Sequence, residues 1–374
     1  MLPIVLFLIC SLALVVTENK TSIPNKNNGW VVLCIILMAA MSGFRNQGGS
    51  DFETYHGLYV QTPAFPEAFD HNLLNENYEE GYLYLVAFYK TIGFSYYGYL
   101  LINAIFFYLC LWFGLKRYTN HFGFVLLVFL YKLFYYNTFI SMRQSVTIAL
   151  FFLMIPMLED KKFFRYYFLC WLASRFHNGA YLLFLLYPLV WFKLTKQRLI
   201  VLNVLFIPTV FLSSLSADLL SIVGNELMSY SESDMEMRKV EGYFMTDGLS
   251  PISIFHTFEY FLLMTIVVLF FDEIVRCDNH ADFILRIFVV LLPLFTMFRS
   301  SEILTREKDY FTITYAFILG YLSNIRCGKY KSVITPIAII WCGFGFIRFV
   351  LLFDNGEFLR YDSWLSISDV SFFL

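Results

Sequence analysis

Two residues in the central part of the chain have side chains suited to phosphate and proton chemistry. Arg143 opens an apolar run at 142–158, and His177 follows a second apolar run at 163–176. A guanidinium group matches phosphate oxygens through paired hydrogen bonds, and an imidazole titrates near neutral pH. If both runs cross a hydrocarbon layer about 30 Å thick, Arg143 and His177 emerge on the same face. The spacing therefore predicts a shared site there, with His177 as a general base or as a second anion contact.

Further ionisable residues fall at the ends of apolar runs on that predicted outer face. A charged group in such a position costs free energy unless it faces water or a partner. A lone arginine can extend to the lipid headgroups, but several on one face favour a pocket for phosphate or pyrophosphate. The group comprises Arg45, Asp51, Arg143, Arg175, His177, Arg299, Glu302, Arg306 and Asp309.

Two acidic pairs provide candidate bases for a hydroxyl group. Glu79 and Glu80 precede a short apolar segment, where either carboxylate could accept a proton; as plain helix-start residues they would instead favour the helix dipole. Asp51 and Glu53 flank Phe52, a pattern similar to the acidic pairs of metal-dependent lipid-linked glycosyltransferases but too short to be specific. We take Asp51 and Glu80 as candidate catalytic residues beside Arg143 and His177.

The composition is typical of a membrane protein with many spans. Of the 374 residues, 59% are hydrophobic and only 15% are charged, and long apolar runs recur along the chain. The net charge of −2 gives no basic signature for nucleic acid. The cysteines have no CxxC or metal-ligand spacing, so the sequence predicts neither a disulfide framework nor a metal site.

Twelve apolar runs are predicted to span the membrane within one transmembrane domain, 1–374. Basic residues fall on every second connection, which the positive-inside rule assigns to the cytoplasm, and both termini then lie outside. Several runs are short enough to require tilting or local thinning of the bilayer. The predicted spans are 3–17, 29–44, 96–115, 122–138, 142–158, 163–176, 178–192, 199–216, 254–272, 281–298, 309–325 and 333–353.

Three longer segments are predicted on the outer face, at 45–95, 217–253 and 354–374. Within the first, 81–93 is apolar on one face but too short to span, which favours an interfacial helix. The segment 217–253 is polar and amphipathic, and we expect it to close over a cavity. The predicted fold class is all-α: a polytopic integral membrane protein with about 12 transmembrane helices and an outer interfacial helix.

Several short motifs occur together between Gly43 and Phe311. The two specific ones are Met142-Arg143-Gln144 with Ala149, and Phe176-His177-Asn178-Gly179-Ala180 ending at Tyr187-Pro188. The others are Ser42-Gly43-Phe44-Arg45 with Asp51 and Tyr55, then Glu80-Gly81-Tyr82, and a weaker element from Arg306 to Phe311. Together they resemble the EpsG family of Wzy-type polysaccharide polymerases. The chain departs from the family at Asn46, where an aromatic residue often follows the arginine.

The resemblance implies an O-antigen, capsule or exopolysaccharide polymerase of the bacterial inner membrane. Such an enzyme moves a growing glycan from undecaprenyl pyrophosphate to a lipid-linked repeat unit at the periplasmic face. The implied partners are the lipid-linked glycan, the bilayer, a chain-length regulator and a flippase, with no nucleic acid. A glycosyltransferase-C-like architecture is compatible with it. Because arginines can neutralise a pyrophosphate, we expect no cofactor and no metal. The expected substrate contacts are Arg45, Tyr55, Gln144, Arg299 and Arg306.

Two other function classes remain open at the sequence level. A membrane O-acyltransferase also uses a histidine and arginines, but its acyl donor arrives from the cytoplasm, whereas the charges here lie outside. A lipid-linked oligosaccharide flippase should have polar residues within its spans and an internal repeat. Lys132, Arg286 and Arg348 lie inside apolar runs and keep the flippase as an alternative.

Overall fold

The computed structural model describes residues 2–19, 29–212, 253–299, 302–353, 356–367 and 371–373, with isolated positions between 218 and 237. This part of the chain consists of helices and connecting turns and contains no strand, apart from two isolated bridges, Arg45–Ser363 and Phe94–Phe373. The all-α class is therefore confirmed. The segment 217–253, predicted to cover a cavity, lies for the most part outside the described residues.

Helices lie at each of the apolar runs. The α-helices are α1 (Leu2–Asn19), α2 (Gly29–Gly43), α3 (Phe52–Gln61), α4 (Glu80–Thr91), α5 (Tyr96–Leu115), α6 (Phe122–Phe129), α7 (Met142–Glu159), α8 (Phe163–Ser174), α9 (Lys196–Phe206), α10 (Ile254–Leu269), α11 (Phe271–Cys277), α12 (Ala281–Val289), α13 (Leu291–Phe295), α14 (Glu302–Arg306), α15 (Lys308–Thr312), α16 (Thr314–Gly328) and α17 (Lys331–Arg348). Segments of 3-10 helix are Glu67–Phe69, His71–Leu73, Asn178–Val190, Ile207–Leu212, Glu357–Arg360 and Trp364–Ser366, and π-helical segments are Leu130–Phe134, Tyr136–Ile140 and Phe349–Phe353.

Length and composition allow only some of the described helices to cross a bilayer alone. Three qualify: α5, α7 and the continuous helix Lys331–Leu352. Helices α10 and α11 meet at a bend of 79° and would count as a fourth if they form one broken span. The remaining apolar helices are shorter, so the number of twelve spans stays a prediction.

The chain divides into two compact units. The first contains Met1–Val190 and Leu319–Leu374, and the second contains Trp191–Ile318. In the second unit, Tyr260 on α10 stacks on Phe295 of α13 with ring centroids 4.7 Å apart. The neighbouring buried Glu259 is 2.7 Å from Nδ1 of His256, one turn earlier on α10. The second unit thus has an aromatic core of its own, with an acid–histidine contact beside it.

Helices α5 and α7 form the centre of the first unit and run in the same direction. A Cβ on Gly114 would lie 2.2 Å from the carbonyl oxygen of Phe152, so glycine permits the two backbones to touch. After their C-terminal ends, Arg117 pairs with Asp160 at 2.7 Å. The Lys162 ammonium and the Arg117 guanidinium lower the pKa of the Asp160 carboxyl. Arg143 is at the start of α7 and therefore lies at the opposite end from this basic turn.

The residues between α2 and α5 pack together into one layer. Helices α3 and α4 contribute buried tyrosines, and Tyr82 on α4 is 2.6 Å from Tyr99 on α5, hydroxyl to hydroxyl. These rings form a core because their faces are covered by one another. Most of the predicted interfacial segment 81–93 is thus helical, since α4 ends at Thr91, and the inner face of α4 packs into this aromatic layer.

Residues of the C-terminal segment fasten the same layer. The Trp364 indole donates to the carbonyl of Gly43 at 3.0 Å, and the amide of Ser95 donates to the carbonyl of Phe372 at 3.0 Å. These two hydrogen bonds connect the last residue of α2 and the residue before α5 to residues more than 250 positions later in the chain.

Candidate active site

The guanidinium of Arg143 is held by three neighbours. Its Nη1 donates to the Glu79 carboxylate at 2.5 Å, and its Nε donates to the Tyr55 hydroxyl at 3.4 Å. The guanidinium carbon also lies 4.9 Å from the centre of the Tyr78 ring. The Arg143 side chain stays 26% exposed, whereas that of Glu79 is 10% exposed. The arginine is therefore fixed in orientation but still reachable by an anionic ligand.

Glu79 joins two separate parts of the chain. Its second carboxylate oxygen accepts the backbone N–H of Asn178 at 3.2 Å, directly after His177. Helix α4 can come this close because residue 81 is glycine: a Cβ there would lie 2.6 Å from the Arg175 carbonyl oxygen. A single carboxylate thus connects the first turn of α7 with the turn that follows α8.

His177 lies in that turn and is half-buried. Its Nδ1 accepts the backbone N–H of Gly179 at 2.9 Å, and its carbonyl accepts from the amide of Ala180. An acceptor nitrogen carries no proton, so the neutral ring has its proton on Nε2. His177 thus fixes the turn through both its ring and its carbonyl group.

The other two predicted acids lie in different surroundings. Glu80 is exposed, and its carboxylate is 3.4 Å from Nδ1 of His71, which is also exposed. Asp51 precedes α3 without capping it and accepts a hydrogen bond from the Ser50 hydroxyl at 2.9 Å. Of the adjacent pair of glutamates, the structure thus brings Glu79 and not Glu80 to Arg143.

The predicted substrate contacts of the first unit are mostly inside it. Arg45 and Gln144 are each 1% exposed. Tyr55 is buried as well, and burial raises the pKa of its phenol although the Arg143 charge opposes the shift. Tyr55 contacts Arg143 and so belongs to the candidate site, whereas Arg45 belongs to a separate buried region.

The two remaining predicted contacts belong to the second unit. Arg306 is exposed at the end of α14, and Arg299 is half-buried in the turn after α13. Glu307 next to Arg306 is buried, which together with the nearby Asp309 raises the pKa of its carboxyl to about 8. Among the residues that the structure describes, no three His, Cys, Asp or Glu side chains lie close enough together to hold a metal ion.

Helices of membrane-spanning length and a fixed, accessible arginine beside a carboxylate define a membrane protein with a candidate site for an anionic substrate. The chain belongs to the EpsG family, because a sequence model of that family matches residues 29–363. Members of this family are Wzy-like polymerases of surface polysaccharide. Comparisons with curated proteins and with solved structures gave no significant match.

Proposed function

We propose that this protein is a polysaccharide polymerase of the bacterial inner membrane. It would transfer a growing glycan from undecaprenyl pyrophosphate to a lipid-linked repeat unit, at the periplasmic face. One observation carries the proposal: Arg143 is held in place by Glu79 and Tyr55, beside the His177–Asn178 turn, with part of its guanidinium exposed. Membership of the EpsG family supports the substrate class.

In the proposed step, a hydroxyl oxygen of the acceptor sugar forms a bond to the anomeric carbon of the donor glycan. The bond from that carbon to the pyrophosphate oxygen breaks, and the hydroxyl proton passes to a base. Negative charge grows on the departing undecaprenyl pyrophosphate. Arg143 would bind that group through two parallel N–H bonds, which are strongest where charge develops.

Glu79 is the base that we propose for the acceptor hydroxyl. A pyrophosphate bound to Arg143 competes with the Glu79 carboxylate for the same Nη1 donor. A carboxylate that loses a cationic partner becomes a stronger base, since the positive charge no longer stabilises its ionised form. Binding of the donor would thus prepare Glu79 to accept the proton.

His177 would contact the pyrophosphate as a donor. Because its Nδ1 accepts from Gly179, Nε2 is the ring nitrogen that would carry the proton for a bond to an oxygen of the substrate. An asparagine side chain can place its oxygen where Nδ1 lies but has no group at Nε2. His177→Asn should therefore preserve the turn and lose the substrate contact.

The test is complementation of a strain that lacks the protein and so accumulates single lipid-linked repeat units. Wild-type protein should restore a ladder of polymer lengths on a gel, whereas Arg143→Lys, Glu79→Gln and His177→Asn should not, at equal protein levels. Arg198→Gln is the matched control, because Arg198 is exposed and its guanidinium donates to the nearby Lys193 carbonyl, at 2.6 Å. Normal ladders from all three site variants would contradict the proposed site. If the strain without the protein made polymer of normal length that lacks acyl groups, the protein would instead be an acyltransferase.

A further inference from the structure

A second polar region of the first unit surrounds Arg45. This side chain is 1% exposed. Its Nη1 donates to the carbonyl of Thr138, and its guanidinium carbon is 4.8 Å from the centre of the Phe139 ring. The Nε and Nη2 atoms are buried and have no hydrogen-bond partner among the described residues. Among the described residues, no carboxylate forms an ion pair with Arg45. A full positive charge with two unsatisfied nitrogens is therefore buried.

A cavity of about 30 Å³ adjoins this guanidinium. Its polar lining residues are Ser42, Arg45, Tyr99, Asn103, Thr138 and Ser145. The Asn103 amide nitrogen is buried and, like the two Arg45 nitrogens, has no partner among the described residues. The Thr138 hydroxyl donates to the Phe134 carbonyl of the preceding π-helical segment, and the Ser145 hydroxyl donates to the Met142 carbonyl of α7. The cavity thus faces a cation and an amide donor, but no acid.

We propose that this cavity binds one monatomic anion, such as chloride, as the counter-ion of Arg45. A water molecule needs at least about 10–15 Å³ of such space, so the cavity has room for one or two particles of that size. Water could accept the unsatisfied N–H bonds but would leave the charge uncompensated. A halide accepts those bonds and also balances the guanidinium, whose burial is otherwise costly.

The position of the cavity gives the anion a structural task. Met142 and Ser145 also line it, and both belong to the first turn of α7, which carries Arg143. A bound halide would hold Arg45 and this turn together without touching substrate. The inference is independent of the proposed polymerase activity, because it concerns the stability of the first unit in any functional state.

The experiment compares thermal unfolding of the purified, detergent-solubilised protein in sodium chloride and in sodium gluconate at equal ionic strength. Wild-type protein should show a saturable rise in melting temperature with chloride, because a ligand that binds only the folded state stabilises it. Bromide should give the same rise. Crystals grown in bromide should show anomalous scattering in the Arg45 cavity.

Two variants separate the site from general salt effects. Asn103→Asp supplies a carboxylate to the same cavity, so it should be as stable in gluconate as in chloride. Arg45→Met removes the charge and should abolish the response to chloride. Arg198→Gln changes an exposed arginine and should keep the response. Two results would overturn the proposal: equal melting temperatures of the wild type in both salts, or a bromide crystal without anomalous signal in the cavity. Either result would show that the cavity holds only water.

Discussion

Arg143 differs from an arginine that simply anchors a helix end in the headgroups. Its guanidinium is bonded on two sides, by Glu79 and Tyr55, and is covered by the Tyr78 ring. A lysine in its place would keep the charge but not the planar pair of donors that fits two phosphate oxygens. We therefore expect the proposed chemistry to depend on the residue type and not only on its charge.

The adjacent acids Glu79 and Glu80 provide a matched comparison. Glutamine keeps the size and most hydrogen bonds of a glutamate but cannot accept a proton. If Glu79 is the base, Glu79→Gln should lower the polymerisation rate by about 10²–10⁴-fold. Glu80→Gln should cause the smaller loss, because Glu80 is exposed beside His71. The measurement is the initial rate of polymer formation in membranes with matched protein levels, and a larger loss at Glu80 would contradict the assignment to Glu79.

The sequence predicts Arg143 and His177 on one face, because the lengths of the two apolar runs determine where each run ends. The structure connects Arg143 through Glu79 to Asn178, the residue after His177. The sequence does not decide between Glu79 and Glu80. Glu79 is extended and precedes α4, whereas Glu80 is the first helical residue. Successive helical residues point about 100° apart. If α4 began one residue earlier or later, a different glutamate of the pair would therefore face Arg143. Sequence signals locate helix ends only to within one or two residues.

Glu307 predicts a dependence of stability on pH in the second unit. Burial raises the pKa of its carboxyl to about 8 in the folded protein, compared with 4.5 for an unperturbed glutamate. Between these values the folded state holds a proton that the unfolded state has lost. The contribution of Glu307 to stability should therefore be largest below about pH 4.5 and should fall by up to about 1.4 kcal/mol per pH unit as the pH rises to about 8.

The test uses melting temperatures of the detergent-solubilised protein between pH 5 and pH 8. Glu307→Gln should flatten this part of the profile and should melt at a higher temperature than the wild type at pH 8, because glutamine stays neutral. A profile with the same slope in both proteins would show that Glu307 does not titrate in this range.

At the scale of elements, the approach of α4 to the turn after α8 determines whether Glu79 reaches Asn178. A Cβ at residue 81 would meet the Arg175 backbone at 2.6 Å, so Gly81→Ala should push the two apart and cost about 1–3 kcal/mol. Gly57, in the middle of α3, has open space around it. Gly57→Ala should instead stabilise the protein by about 0.5–1 kcal/mol.

Both glycine variants would be compared by melting temperature and by the length of the polymer ladder. Gly81→Ala should lower both, whereas Gly57→Ala should raise the first and leave the second unchanged. Equal effects of the two substitutions would mean that the contact between α4 and Arg175 does not position the site.

The positions of the helices follow from the apolar runs, but their interruptions do not. The bend between α10 and α11 and the 3-10 helix Asn178–Val190 depend on how neighbouring elements pack, which run length does not encode. The burial of Arg45 has the same kind of cause. The segment after Gly43 is covered by residues such as Trp364, more than 300 positions later, so local pattern placed Arg45 at an accessible outer end.

At the scale of the whole molecule, the orientation in the membrane is still a prediction. The Arg117–Asp160 pair and Arg143 lie at opposite ends of α7, as required if the basic turn is cytoplasmic and the candidate site is periplasmic. Single cysteines can report the side of each position. The positions chosen are Asp51, His177 and Tyr361 for the periplasm, and Lys161, Lys196 and Lys329 for the cytoplasm.

A membrane-impermeant thiol reagent is added to spheroplasts, whose outer membrane has been removed. It should label the periplasmic positions and not the cytoplasmic ones. The native Cys10, Cys34, Cys110, Cys170 and Cys342 are buried, which keeps the background low. Cys277 and Cys327 would first be changed to serine. Labelling of Lys161→Cys from outside would overturn the orientation and, with it, the periplasmic location of the site.

The most direct measurement is the stoichiometry of the reaction with purified protein in lipid nanodiscs. The substrate is the lipid-linked repeat unit isolated from cells that lack the protein. If Arg143 and Glu79 act in glycosyl transfer, wild-type protein should release undecaprenyl pyrophosphate in amounts equimolar to the new glycosidic bonds, and Glu79→Gln should reduce both together. Absence of polymer from the wild type, or polymer formation without release of the carrier, would contradict the proposed transfer.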